Sequence, residues 1–157
     1  MLLTYEGTSN FIVKSYNANN EELDLIVNKI GEYRGRKFLD IFEGQESTRF
    51  QIEASGKWEI RVLPFTGTNL TIVLNPTNGF DGTGDDIVVI GDGKWDLLKI
   101  DAKGKRNFII HGWGKNSGRD LLVNEIAPYN GTIILPTGTY MFEIEATGPW
   151  HLEVTTK

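Results

Sequence analysis

The chain has no cysteine. That excludes disulfides, thiolate nucleophiles and cysteine-based zinc sites together. Histidine is nearly as scarce: His111 and His151 are the only two, and they fall in separate expected strands. No P-loop, Gly-x-Ser-x-Gly or His-Glu-x-x-His string occurs, so the common catalytic signatures are missing. Positive charge is in short supply, with 16 Lys and Arg against 21 Asp and Glu and a net charge of −5. Without a basic stripe to release counterions from phosphate, no nucleic-acid partner is expected. No apolar run approaches the ~18 residues that a membrane helix needs, so no membrane partner is expected. The start, MLLTYEGTSNF, lacks a basic segment followed by an apolar run, so no signal peptide is expected. A cytoplasmic protein and a piece of a secreted one both fit.

What the chain does have is punctuation. Eighteen glycines and five prolines separate short runs rich in Val, Ile, Thr and aromatics. No longer window shows a 3.6-residue period. Many short strands between regular turn signals is the pattern of an all-β protein. A hydrophobic content of 39% with 11% aromatics is enough for a packed core.

The chain also says one thing twice. DLIVNKIGEYRG at 24–35 returns as DLLVNEIAPYNG at 120–131, and IEASGKWEIRV at 52–62 returns as IEATGPWHLEV at 144–154. GTSNFI at 7–12 likewise returns as GKRNFI at 104–109. A fixed period of about 95 residues indicates repeated supersecondary units. The expected fold is two tandem, pseudo-symmetric β-sandwich modules, jelly-roll or immunoglobulin-like, of about seven strands each. The first spans 1–63, a connector spans 64–81 and the second spans 82–157. Strands are expected at about 1–5, 10–16, 23–30, 36–42, 47–54 and 58–63 in the first module. In the second they are expected at about 86–91, 95–102, 107–113, 120–126, 131–135, 139–146 and 150–156.

The modules differ at their start. GTGDDIVVIGDG at 82–93 has no counterpart in the first, which leaves that sandwich without its opening strand and with an unpaired edge. The run 69–74, NLTIVL, is expected to fill the vacancy or to pair with another chain.

Duplicated positions read as scaffold. Phe50/Phe142, Ile52/Ile144, Trp58/Trp150 and Val62/Val154 share alternating faces and are expected in the core, the tryptophans as anchors. Met141, Glu143 and Glu145 fall on the other face, expected in water. Asp24/Asp120, Asn28/Asn124, Tyr33/Tyr129 and Gly35/Gly131 are expected to make turns and a tyrosine-locked corner. Asn130-Gly131, which opens a sequon, is expected as a turn.

Specific function is expected where the modules differ. His111 and Trp113 share a strand face opposite to Phe108, so they are expected outside together, beside Ile109. An apolar-aromatic surface of that kind marks a contact site. Tyr16 aligns with Trp113, and Trp95 has no duplicate; these four are the expected residues for a protein or carbohydrate partner. Asp81, Asp85 and Asp86, followed by Asp92, gather oxygens of the kind calcium takes, although Asp and Gly also simply form turns.

The string GDDIVVI…NFII…DLLVNEIAPYNG…GTYMFEIEATGPWHLEV resembles a β-rich module of bacterial proteins that occurs in tandem or appended to other domains. The resemblance covers nearly all of 82–157 and, less completely, 1–63. It implies a β-sandwich accessory module and brings no catalytic residues. The expected function is non-enzymatic binding. The alternatives are a structural or assembly protein that forms homo-oligomers through strand edges, and a hydrolase using strand carboxylates.

Overall fold

The computed structural model describes residues 1–66, 69–73, 76–91, 94–115 and 118–156. The chain is all-β, and no α-helix occurs among the described residues. It divides into two units, Met1–Leu63 and Pro64–Lys157.

In the first unit the strands are β1 (Leu2–Glu6), β2 (Asn10–Tyr16), β3 (Glu22–Ile30), β4 (Tyr33–Arg36), β5 (Arg49–Ala54) and β6 (Lys57–Arg61). They form two antiparallel sheets of order β4-β1-β6 and β3-β2-β5. Alternation turns Leu3 and Tyr5 of one sheet toward Phe11, Val13 and Val27 of the other, all of them buried. Tyr5 stacks on Phe11 with ring centroids 4.8 Å apart. This is a sandwich of two sheets sharing one apolar interior.

The second unit holds β7 (Thr71–Ile72), β8 (Phe80–Thr83), β9 (Asp86–Val89), β10 (Leu97–Ala102), β11 (Asn107–Gly114), β12 (Gly118–Ile126), β13 (Tyr129–Ile134), β14 (Thr139–Glu145) and β15 (Pro149–Thr155). Its sheets run β13-β10-β15-β8 and β12-β11-β14-β9-β7. Val88, Leu98, Ile100, Phe108, Ile110, Phe142, Ile144, Trp150, Leu152 and Val154 fill the space between them.

Strand pairing follows one pattern in both units. Tyr5 lies opposite Trp58 and Tyr33, as Ala102 lies opposite Trp150 and Tyr129. Val13 lies opposite Val27 and Ile52, as Ile110 lies opposite Val123 and Ile144. The second unit adds three strands. β8 pairs with β15, β9 with β14, and β7 runs parallel to β9.

Several expectations change. Among the described residues the units hold six and nine strands rather than seven each. The run at 69–74 contributes β7, which lengthens the second unit and not the first; Leu74 lies outside the described residues. The strand expected at 36–42 begins and ends earlier, as β4. Asp40 then takes φ 53°, and its carboxylate accepts from the Ser47 amide at 2.9 Å and hydroxyl at 2.7 Å. Those bonds close a loop over residues 40–47 in place of a sheet ladder. Asn28 and Asn124 do not turn the chain; they stand mid-strand, exposed, opposite Ile12 and Ile109. Asn130-Gly131 is likewise within β13, opposite Asp101 and Ile100.

Candidate functional site

Of the four residues expected to meet a partner, Tyr16 ends β2 of the first unit, while His111 and Trp113 stand on β11 of the second and Trp95 precedes its β10. Trp113 is only 8% exposed, so its ring is not the outward platform expected. It lies opposite Met141 on β14, and Met141, Ile87 and Glu143 are buried on the same sheet. The expectation that Met141 and Glu143 stand in water is therefore corrected. Trp95 packs against the core and donates its indole N–H to the Ile90 carbonyl at 3.1 Å. Tyr16 is half-buried in a polar setting. Its hydroxyl reaches Gln51 at 3.0 Å, and the Arg49 guanidinium sits 4.1 Å from its ring centroid. Beside it Lys14 meets Glu22 at 2.8 Å, a hydrogen bond that raises the lysine pKa and lowers that of the carboxylate.

His111 belongs to a charged cluster. Arg119 from β12 donates through Nε at 3.0 Å and Nη2 at 2.9 Å to Oε2 of the buried Glu143. The same Nη2 lies 3.2 Å from His111 Nδ1. A guanidinium only donates, so this contact needs an unprotonated Nδ1 and places the ring proton on Nε2. The cluster offsets the cost of burying Glu143 on the sheet. His151 stands apart in β15, where Nδ1 meets Asp81 Oδ1 of β8 at 2.9 Å.

The three carboxylates expected around calcium serve different partners. Asp81 pairs with His151. Asp85 is buried and accepts the Ala146 amide at 2.9 Å. Asp86 accepts from the Thr71 hydroxyl at 3.0 Å and its neighbour's amide at 2.8 Å. Among the described residues no three His, Asp or Glu side chains gather as a metal requires; Asp92 lies outside them. Asp85 instead ties the turn before β9 to the end of β14. Asp85→Asn keeps an acceptor but loses charge assistance, and is expected to cost about 1 kcal/mol. A thermal melt with and without a chelator checks this, and a chelator effect on the parent protein would speak for a metal.

The site that sequence reasoning placed poorly is the open side of the first unit. In the second unit Trp150 is 2% exposed because β8 lies over it. Gly82 stands opposite, leaving the indole room where a Cβ would lie 2.1 Å from its Cζ2. The indole N–H donates to the Gly84 carbonyl at 3.0 Å, and Phe80 meets the ring edge-on at 6.3 Å. The first unit has no such strand among the described residues: β6 and β5 end their sheets. Trp58 is accordingly 48% exposed and Val62 59%, while Val154 is fully buried. The expectation that Trp58 and Val62 are core residues is corrected, and the cause is the missing neighbour rather than the strand itself. Phe50, Ile52 and Ile60 are half-covered, whereas Phe142, Ile144 and Leu152 are sealed. Two strand edges with a tryptophan between apolar neighbours therefore face solvent. The absent counterpart of GTGDDIVVIGDG is the sequence signal that marks this place.

No protein-family model, curated protein or solved structure matches this chain.

Proposed function

We propose that the chain is a non-enzymatic interaction module that associates by β-strand addition at the open side of its first unit. The observation that carries this is the contrast between Trp58 and Trp150, equivalent in pairing and opposite in exposure. A free edge offers backbone donors and acceptors, and alternate pockets give specificity. The β8 strand is the chain's own pattern for the occupant: an aromatic, an outward residue, and a glycine over the indole.

A synthetic peptide Phe-Lys-Gly-Thr-Gly tests the reading. Its lysine replaces the aspartate of β8, because Glu59 stands where His151 stands in the second unit. Saturable binding with a blue shift of Trp58 emission is expected, absent in Trp58→Phe. No uptake of such a strand, together with an unassociated protein, would discard the proposal.

A further inference from the structure

Resting on that strand-addition reading, we infer that the occupant of the open side is a second copy of this chain. The two first units close on each other about one two-fold axis, β6 antiparallel to β6 and β5 antiparallel to β5. The argument is charge complementarity read along each edge.

On β6 the outward residues are Lys57, Glu59 and Arg61, with Trp58 and Ile60 facing inward. Setting Ile60 opposite Ile60 of the second copy brings Glu59 opposite Arg61 and Arg61 opposite Glu59. In the same register Trp58 meets Val62 across the inner face, so the two most exposed apolar groups of the edge cover each other. Neighbouring registers do worse. Glu59 opposite itself sets like charges together, which is destabilising. Trp58 opposite itself pairs Glu59 with Lys57 but leaves Arg61 against Ser55 and Val62 beyond the partner strand. A shift by one residue puts the tryptophan against a charged neighbour, since side chains alternate.

The β5 edge repeats the arrangement. Its outward residues are Arg49, Gln51 and Glu53. Gln51 opposite Gln51 brings Arg49 to Glu53 in both directions and sets Phe50 against Ile52 on the inner face. The charges are available for this. Arg61 now holds its own Glu59 at 2.6 Å on the surface, a hydrogen bond that raises the arginine pKa.

One axis can serve both edges. Gln51 lies as many residues before Ser55 as Ile60 lies after Gly56, and Ser55-Gly56 is the turn joining the two strands. Strands of an aligned sandwich diverge by only about 30°. The two centres therefore lie at similar height on the same side of the unit. Phe50, Ile52, Trp58, Ile60 and Val62 of each copy then meet in one continuous interior.

Sedimentation velocity of the full chain over a concentration series tests the inference, and a reversible monomer–dimer equilibrium is expected. Glu59→Arg sets arginine against Arg61 of the second copy and is expected to weaken association about tenfold or more. The double change Glu59→Arg with Arg61→Glu restores the complementarity and the dimer. Gln51→Cys gives a chain whose only disulfide is between copies. It is expected to oxidise rapidly to a covalent dimer, while Lys57→Cys, opposite Leu63 in this register, does not. Parent-like thermal melts of all four variants confirm that they fold. A monomer at every concentration, a double change that fails to restore association, or equal oxidation of the two cysteine variants overturns the inference. A monomer that still takes up the Phe-Lys-Gly-Thr-Gly peptide overturns the second copy alone; one that refuses it overturns strand addition as well.

Discussion

Trp150→Ala is expected to destabilise the second unit by about 3–5 kcal/mol, as loss of a large buried aromatic does. Trp58→Ala at the equivalent place in the first unit is expected to cost under about 1 kcal/mol, since its ring is already half in water. The two residues have the same chemistry and the same strand partner pattern, so the difference isolates the neighbour. At Trp150 the change removes an indole that fills the space against Phe80 and Gly82 and leaves the Gly84 carbonyl without its donor. At Trp58 the truncation opens no sealed cavity. Urea denaturation read through hydrogen exchange, which reports each unit separately, makes the comparison within one chain. Dilute protein keeps association out of the measurement. Equal losses would mean that β8 is not what buries Trp150, and the case for an open first unit would fall with it.

The fold class was legible because it rests on period-2 alternation, which burial enforces strand by strand. Phe50/Phe142 and Ile52/Ile144 face inward as their spacing requires. What alternation does not report is whether a second layer or a neighbouring strand completes the burial. Trp58 and Trp150 have nearly the same local string and different environments. Trp113 and Met141 stand on the face expected to be wet and are nonetheless buried. The contrast between the tryptophans is set by β8, an element remote in sequence from Trp150. The strand β8 was missed for a different reason. Phe80-Asp-Gly-Thr is only four residues long and sets two turn formers between its two strand formers, yet its glycine is what lets the backbone approach an indole. The same glycine and aspartate suggested a cation loop, when Asp81 serves a cross-strand histidine and Asp85 a backbone amide. The missing counterpart in the first unit was visible, but its consequence for Trp58 required knowing which strand β8 covers.

Gly82→Val is expected to convert the closed side of the second unit toward the open side of the first. The new Cβ would stand 2.1 Å from Trp150 Cζ2, 2.3 Å from Cη2 and 2.7 Å from Cε2. An indole sealed in the core, with its N–H held by the Gly84 carbonyl, has no easy retreat. Overpacking of this kind costs about 1–3 kcal/mol and sometimes more. The cheaper response is for β8 to lift from β15, which frees the His151–Asp81 contact and lets water reach the ring. Trp150 emission should then shift to the red, and amides on the outer edge of β15 should lose protection. Thr83→Val, one residue on and exposed, sets the same side chain on the solvent side with almost no change in volume and is expected to change stability by no more than about 0.5 kcal/mol. If β8 does lift, the edge of β15 becomes a free strand flanked by a tryptophan, as β6 is now. The variant should then gain affinity for a Phe-x-Gly strand peptide that the parent's second unit lacks. A Gly82→Val protein with parent-like melting and unshifted emission would show that the indole and β8 are not in the tight opposition described. The exposure of Trp58 would then need a cause other than the strand it lacks.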